Sequence, residues 1–190
     1  MLRTAVLALA ASGGNWLAGP AMAEPRHWEI DAETSRFDIV YQINGQQRSG
    51  VINRFTGSAK FDPDNLENAS LDLVIDMDSI DVGDRFGTAI VKTGDWFDVY
   101  EHPTSTYRLL ELTALGDDMF RARGILSMRG AVAEVEGTLA IDLEAETAET
   151  VGRAAFMRST FGIGVGFTAL FVEVGDDVAV EFELVATPVD

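Results

Sequence analysis

Residues 71–77 read LDLVIDM, and this stretch indicates the fold class more clearly than any other part of the chain. Apolar residues occupy every second position: Leu71, Leu73, Ile75 and Met77. Asp72 and Asp76 fall on the opposite side of the same stretch. A repeat of two residues is typical of a β-strand that buries one face and exposes the other.

The same alternation recurs along most of the chain. Residues 37–43 form one predicted strand, Asn44-Gly45 is a hairpin turn signal, and residues 50–61 read as the returning strand. Further strands are predicted at 104–112, 119–128, 131–143, 153–161 and 178–186. About eight strands with short connections predict an all-β fold, either an antiparallel β-barrel or a sandwich.

Two segments break the alternation. Residues 79–100 carry apolar side chains at spacings of three and four, which predicts a short helix followed by a loop. Residues 143–150 are rich in glutamate and read as a solvated hairpin connection.

Large and small residues alternate on the presumed inner faces of two strands. They are Phe55, Gly57, Ala59 and Phe61 on one, and Phe120, Ala122, Gly124 and Leu126 on the other. Such alternation can fill the taper of a closed barrel. An eight-stranded barrel can equally hold one slender ligand. The pattern by itself leaves both interpretations open.

The first 23 residues have the features of a secretory signal peptide. Arg3 precedes a mostly apolar run, and Ala21-Met22-Ala23 is a small-residue cleavage signal. We therefore expect cleavage after Ala23 and a single mature domain, residues 24–190, in the periplasm. The chain has no cysteine, which excludes thiol catalysis. Its formal net charge of −17 makes nucleic acid a poor partner.

The sequence offers little support for catalysis or metal binding. His27 and His102 are the only histidines and lie far apart in the sequence, without the spacing of a metal site. No Gly-x-Ser-x-Gly nucleophile motif occurs. We expect neither a catalytic nor a metal site, although a lipid hydrolase acting near one histidine stays a third hypothesis.

Short elements in a fixed order resemble the YceI-like polyisoprenoid-binding proteins, exported barrels of lipocalin-like shape. These elements are residues 27–31 (HWEID), 55–63 (FTGSAKFDP), 78–81 (DSID), 95–99 (DWFDV), 102–104 (HPT), 124–130 (GILSMRG), 158–164 (RSTFGIG) and 175–178 (GDDV). Their order and spacing carry the resemblance over nearly the whole mature chain. It implies an eight-stranded antiparallel β-barrel and a bound isoprenoid chain, such as a polyprenyl alcohol, a polyprenyl phosphate or a quinone.

The chain departs from many relatives in one loop. Where they carry Arg-Asp and His-Leu pairs, it has Gly87-Thr88 and Ile90-Val91. Trp96-Phe97 and residues 161–164 (FGIG) resemble a subgroup associated with membrane b-type cytochromes. The loop departure removes polar residues expected near the headgroup and leaves the apolar lining less affected.

The candidate ligand-binding residues lie on the inferred inner faces. They are Phe37, Ile39, Tyr41, Phe55, Phe61, Leu73, Ile75, Tyr107, Phe120, Leu126, Phe156 and Phe182. For each one, ordinary core packing is an equal alternative. A second set is expected to form a lid or portal, or a small core beneath a loop: Phe86, Ile90, Trp96 and Phe97. Arg158, and secondarily Arg129, could pair with an anionic headgroup or with nearby carboxylates.

These observations support a leading hypothesis and one main alternative. The leading one is a non-catalytic periplasmic carrier of an isoprenoid lipid or quinone, with no other cofactor. The alternative is an interaction module that docks on a membrane cytochrome or another envelope protein, and a homodimer also stays open. A carrier requires an apolar tunnel, whereas an interaction module requires a filled barrel and an exposed apolar patch near Trp96.

Overall fold

The computed structural model describes residues 26–144 and 146–189. The predicted signal peptide lies outside these residues. The strands are β1 Arg26–Ile30, β2 Arg36–Ile43, β3 Gln46–Ile52, β4 Phe55–Phe61, β5 Ser70–Asp76, β6 Ile80–Asp81, β7 Thr104–Gly116, β8 Met119–Met128, β9 Ala131–Leu143, β10 Ala148–Met157 and β11 Asp177–Val189. One α-helix, α1, runs over Arg85–Val91, within the segment predicted to hold a short helix.

The strands form a closed antiparallel barrel, as predicted. Strand β11 lies at its closure, because it pairs with β10 on one edge and with both β1 and β2 on the other. Strands β1 and β2 follow each other along β11 and act as one interrupted strand. In the same way β3 and β4 line up opposite them, and β5 and β6 pair with β4 and β3. The barrel therefore has eight long strands, three of them interrupted.

Serine side chains bridge the interruptions. Ser79 Oγ accepts hydrogen bonds from the backbone N–H groups of Asn53 (3.2 Å) and Arg54 (2.9 Å), and donates one to the carbonyl of Asp76 (2.7 Å). At the first interruption, Ser35 Oγ accepts from the N–H of Val185 at 2.9 Å. The single strand predicted over residues 50–61 was thus wrong, because its backbone leaves the ladder at 53–54 to bond with Ser79.

The two ends of the barrel are built differently. At the capped end lie α1, the loop 92–103 and the loop 158–176, over a buried cluster: Met77, Trp96, Val99, Leu126, Met128, Val135, Phe161 and Ile163. At the opposite end, here called the hairpin end, lie the β4–β5, β7–β8 and β9–β10 connections and the start of β1. Within residues 26–144 and 146–189, no helix combines the length and apolar character needed to span a bilayer.

Strand β10 is the element that differs most from its predicted position. It begins at Ala148 rather than at residue 153, so residues 148–150 of the predicted 143–150 connection are strand. It ends at Met157, and residues Arg158–Phe161 form a 3-10 turn instead of its last residues. The inner residues over 148–154 are small or polar: Ala148, Thr150, Gly152 and Ala154. Because they are small or polar, they differ little in hydrophobicity from the outer residues Glu149, Val151 and Arg153, and the strand pattern is weak.

Candidate binding cavity

A cavity of about 190 Å³ lies inside the barrel, and residues from all eight long strands line it. The walls are mostly aliphatic and aromatic. A 150 Å³ apolar cavity is known to stay dry and to take up a benzene-sized molecule. The site is therefore suited to a slender apolar ligand. A long chain would fit only if side chains along the wall moved aside or if part of the chain extended beyond the cavity.

Small inner residues on neighbouring strands leave room for this cavity. Ala148, Thr150 and Ala154 of β10 line it, and Ala59 of β4 and Ala122 of β8 do so on other walls. Bulky rings occupy the space that side chains at glycine positions would need, so these rings do not fill the centre of the barrel. The Tyr107 ring lies over Gly124, for example, at the place where a Cβ atom would otherwise stand. The alternation of bulk along β4 and β8 does face inward as predicted.

Eight of the predicted ligand-binding residues line the cavity. They are Phe37, Phe61, Leu73, Ile75, Tyr107, Leu126, Phe156 and Phe182. Ile39, Tyr41, Phe55 and Phe120 belong to the surrounding core but do not line it. Phe120, for instance, packs edge-on against Phe61, with ring centroids 5.6 Å apart.

Three of the four predicted lid residues belong to one buried cluster, and the fourth is exposed. Trp96 is buried in the cluster at the capped end, and Ile90 and Phe97 pack against that cluster. Phe86 is 76% exposed. None of the four lines the cavity. For Ile90, Trp96 and Phe97 the structure thus favours the small core beneath a loop, which was the alternative to a lid.

Arg158 is placed outside the cavity lining. Its guanidinium donates hydrogen bonds to the carbonyls of Ile163 (2.6 Å), Gly164 (3.0 Å), Val174 (3.0 Å) and Gly175 (3.0 Å). These bonds join the two ends of the 158–176 loop. The guanidinium therefore stabilises the conformation of the loop. It is not positioned to bind a headgroup in the cavity. Arg129 similarly donates to the carbonyl of Gly94 at 2.6 Å.

Two aromatic residues on the cavity wall, Tyr107 and Trp28, carry a polar atom on their rings. Burial raises the pKa of Tyr107 to about 12, so its hydroxyl stays protonated at neutral pH. Within the described part of the chain, no group forms a hydrogen bond with that hydroxyl. Trp28 is only 3% exposed, and its Nε1 likewise lacks a partner among the described residues. The charged residues on the lining, Lys60 and Glu136, are exposed.

Several lining residues were missed from the sequence. Trp28 and Ile30 on β1 are examples, together with Val135, Leu139 and Ile141 on β9. The signal for Trp28 and Ile30 was present, since both alternate with polar residues in the stretch RHWEI. Five residues are, however, a short run for a pattern of period two. His27 lies on the exposed face of β1 and does not line the cavity.

Comparison with known proteins supports the architecture. The crystal structure of Burkholderia cenocepacia BcnA superposes with a TM-score of 0.77 at 27% identity, over 83% of this chain and 99% of that one. A polyisoprenoid binding domain from Saccharophagus degradans, implicated in plant cell wall breakdown, has the same fold. There the TM-score is 0.69 at 15% identity, over 85% of this chain and 98% of that one.

A sequence relative and a family match complete the comparison. A UPF0312 protein of Pseudomonas aeruginosa is 31% identical over 120 residues, which cover 62% of each chain. The chain thus spans less than two thirds of that relative's length. The family described as "YceI-like domain" matches residues 28–186, which is most of the chain and includes every residue that lines the cavity. This chain therefore belongs to the YceI-like domain family.

Proposed function

We propose that the protein is a periplasmic binding protein that carries an isoprenoid lipid in its barrel and catalyses no reaction. The observation that carries this proposal is the apolar cavity walled by all eight long strands. Each methylene removed from water contributes roughly 0.8 kcal/mol, so even part of a hydrocarbon chain gains several kcal/mol there. The Saccharophagus degradans domain of the same fold is a polyisoprenoid binding domain, which favours isoprenoids among apolar ligands.

The test is native mass spectrometry of the protein purified from its own envelope, followed by organic extraction. A stoichiometric adduct with the mass of a polyprenol, polyprenyl phosphate or quinone supports the proposal and identifies the ligand. A protein without adduct that also takes up no added quinone or polyprenol overturns it.

A second candidate function rests on an exposed apolar surface. The side chains of Val165, Phe167, Leu170 and Phe171 are 65–78% exposed, and this group is here called the apolar loop. The rings of Phe167 and Phe171 lie 5.0 Å apart, so they present one continuous surface. A Cβ on Gly164 would stand 2.8 Å from the Trp96 ring, which places the start of the loop beside Trp96. An exposed apolar patch near Trp96 is the feature expected of a module that docks on an envelope protein.

The docking function can be tested with a solubilised membrane b-type cytochrome as the probe. Docking through the apolar loop requires that Phe167→Ser combined with Phe171→Ser weaken binding at least tenfold. Val151→Ser, a change at an exposed residue on the outer wall, serves as the matched control. Equal binding by the double variant and the unmodified protein would rule out this surface for that partner, and so would no binding at all.

A further inference from the structure

The indole of Trp28 is buried without a hydrogen bond. The side chain is 3% exposed, and Nε1 has no acceptor among the residues that the structure describes. A buried tryptophan N–H usually finds a partner, because leaving it unpaired forfeits its hydration. The indole N–H can only donate. Trp28 therefore presents an unused donor, and any group that satisfies it must be an acceptor.

Trp28 lines the cavity near the hairpin end. It lies in the middle of β1, where it is paired with Ala59 of β4 and Pro188 of β11. Arg26 precedes it by two residues and is therefore on the same side of β1. The guanidinium carbon of Arg26 stands 5.5 Å from the centre of the Trp28 ring. Trp28 on the cavity wall thus has a positive charge beside it, on the exposed residue Arg26.

The capped end offers a different environment. The cluster beneath it consists of apolar side chains, including Phe161 at 2% and Ile163 at 3% exposure. The guanidinium of Arg158 is held by four backbone carbonyls. Ser105 Oγ and Arg129 Nε at this end are also buried without a partner among the described residues, but neither residue lines the cavity. Of these unpaired polar groups only the Trp28 N–H lies on the cavity wall, so an oxygen atom of a bound molecule is better satisfied at Trp28 and a hydrocarbon tail is compatible with the capped end.

We propose that Trp28 Nε1 donates a hydrogen bond to an oxygen at the polar end of the bound lipid. The polar end lies at the hairpin end beside Trp28 and Arg26, and the hydrocarbon tail points toward the capped end. This inference rests on the proposed carrier function and adds the ligand's orientation and one specificity-determining residue. The chemistry required is an oxygen acceptor on an isoprenoid chain, whether from an alcohol, a carbonyl or a phosphate.

The experiment compares three probes: squalene, which is an isoprenoid hydrocarbon without oxygen, a polyprenol of similar length, and its phosphate. The variant Trp28→Phe keeps an aromatic ring and removes the donor. We expect it to bind the polyprenol and its phosphate about three- to tenfold more weakly than the unmodified protein, and squalene equally well. Trp96→Phe is the matched control, because Trp96 is buried but lies outside the cavity lining.

A second measurement does not depend on the variant folding well. In ¹⁵N-labelled unmodified protein, the indole N–H resonance of Trp28 should shift downfield with the polyprenol or its phosphate and not with squalene. The inference is overturned if that resonance does not respond, if Trp28→Phe weakens all three probes alike, or if Tyr107→Phe alone discriminates between them. Binding of no probe at all would instead overturn the carrier function itself.

Discussion

Phe182 on β11 stands directly opposite Gly152 on β10, and its ring occupies the space that a side chain at Gly152 would need. A Cβ atom at Gly152 would lie 2.6 Å from Cε2 of Phe182 and 2.8 Å from Cβ of Leu139. The glycine therefore lets a large ring lie against the wall, and Phe182 borders the cavity without filling it.

Gly152→Ala should destabilise the barrel. Replacing a strand glycine by alanine normally stabilises by about 0.5–1 kcal/mol. Overpacking costs about 1–3 kcal/mol, so the steric effect should dominate here. Denaturant unfolding measures the change. Adding Phe182→Leu should recover most of the loss. Gly94→Ala is the control, because the nearest atom to its Cβ would be Asp98 Oδ1 at 3.7 Å. Equal stability of Gly152→Ala and the unmodified protein would contradict this account.

Ala59→Trp should block ligand loading while the barrel still folds. Ala59 lines the cavity, and an indole there would take up much of the 190 Å³. Ser58→Trp places the same side chain on the exposed face of the same strand. Circular dichroism should show both variants folded, and native mass spectrometry after incubation with a polyprenol should show uptake only by Ser58→Trp. Normal loading of Ala59→Trp would mean that the ligand binds elsewhere.

Tyr107 should make the protein sensitive to alkali in a defined pH range. Its pKa is raised by burial to about 12, above the ordinary value of 10.0, so the folded state favours the protonated phenol. This contribution to stability is fully present below pH 10 and is lost as the pH rises through about 12. Unfolding free energies measured across this range should fall less steeply in Tyr107→Phe. The control is Tyr100→Phe, at a side chain that is 91% exposed. Identical pH profiles for Tyr107→Phe and the unmodified protein would contradict the prediction.

Arg158→Lys should weaken the capped end and leave headgroup recognition intact. Lysine keeps the charge but lacks the planar fork that reaches four carbonyls. We expect the free energy of unfolding to fall by about 2–4 kcal/mol. Arg153→Lys, on the exposed side of β10, should have little effect. The ratio of affinities for a polyprenyl phosphate and its alcohol should not change in Arg158→Lys. A selective loss of affinity for the phosphate would instead assign Arg158 to the headgroup.

The alternating strands could be predicted from the sequence because each inner face carries some large apolar residues. The bounds of β8 and β9 were correct at both ends, since Phe120 and Leu126 of β8 and Val135, Leu139 and Ile141 of β9 give enough hydrophobic contrast despite the small residues between them. The start of β10 could not be predicted in this way, because small inner residues such as Ala148 and Gly152 give weak hydrophobic contrast. Those same residues help to make room for the cavity, so the feature that hid the strand also contributes to the site.

Other features depend on partners that are distant in sequence. The interruption at residues 53–54 requires the hydroxyl of Ser79, and local composition does not reveal it. The role of Arg158 depends on carbonyls up to 17 residues away, which only the folded loop brings together. From the sequence alone, Arg158 could be interpreted as a residue that binds an anion, because the carbonyls that accept its hydrogen bonds are known only from the structure.

The pairing of β1 with β11 also has a kinetic consequence. His27 of β1 is paired with Val189 of β11, so the first and last strands that the structure describes complete the barrel wall. Such contacts, distant in sequence, carry a large loop-closure entropy and form slowly. Until β11 docks, β10 and β1 have unpaired edges and the interior is open to water. The cavity therefore has a complete wall only after β11 has docked against β10, β1 and β2. No molecule can be surrounded by the whole barrel before that pairing has formed.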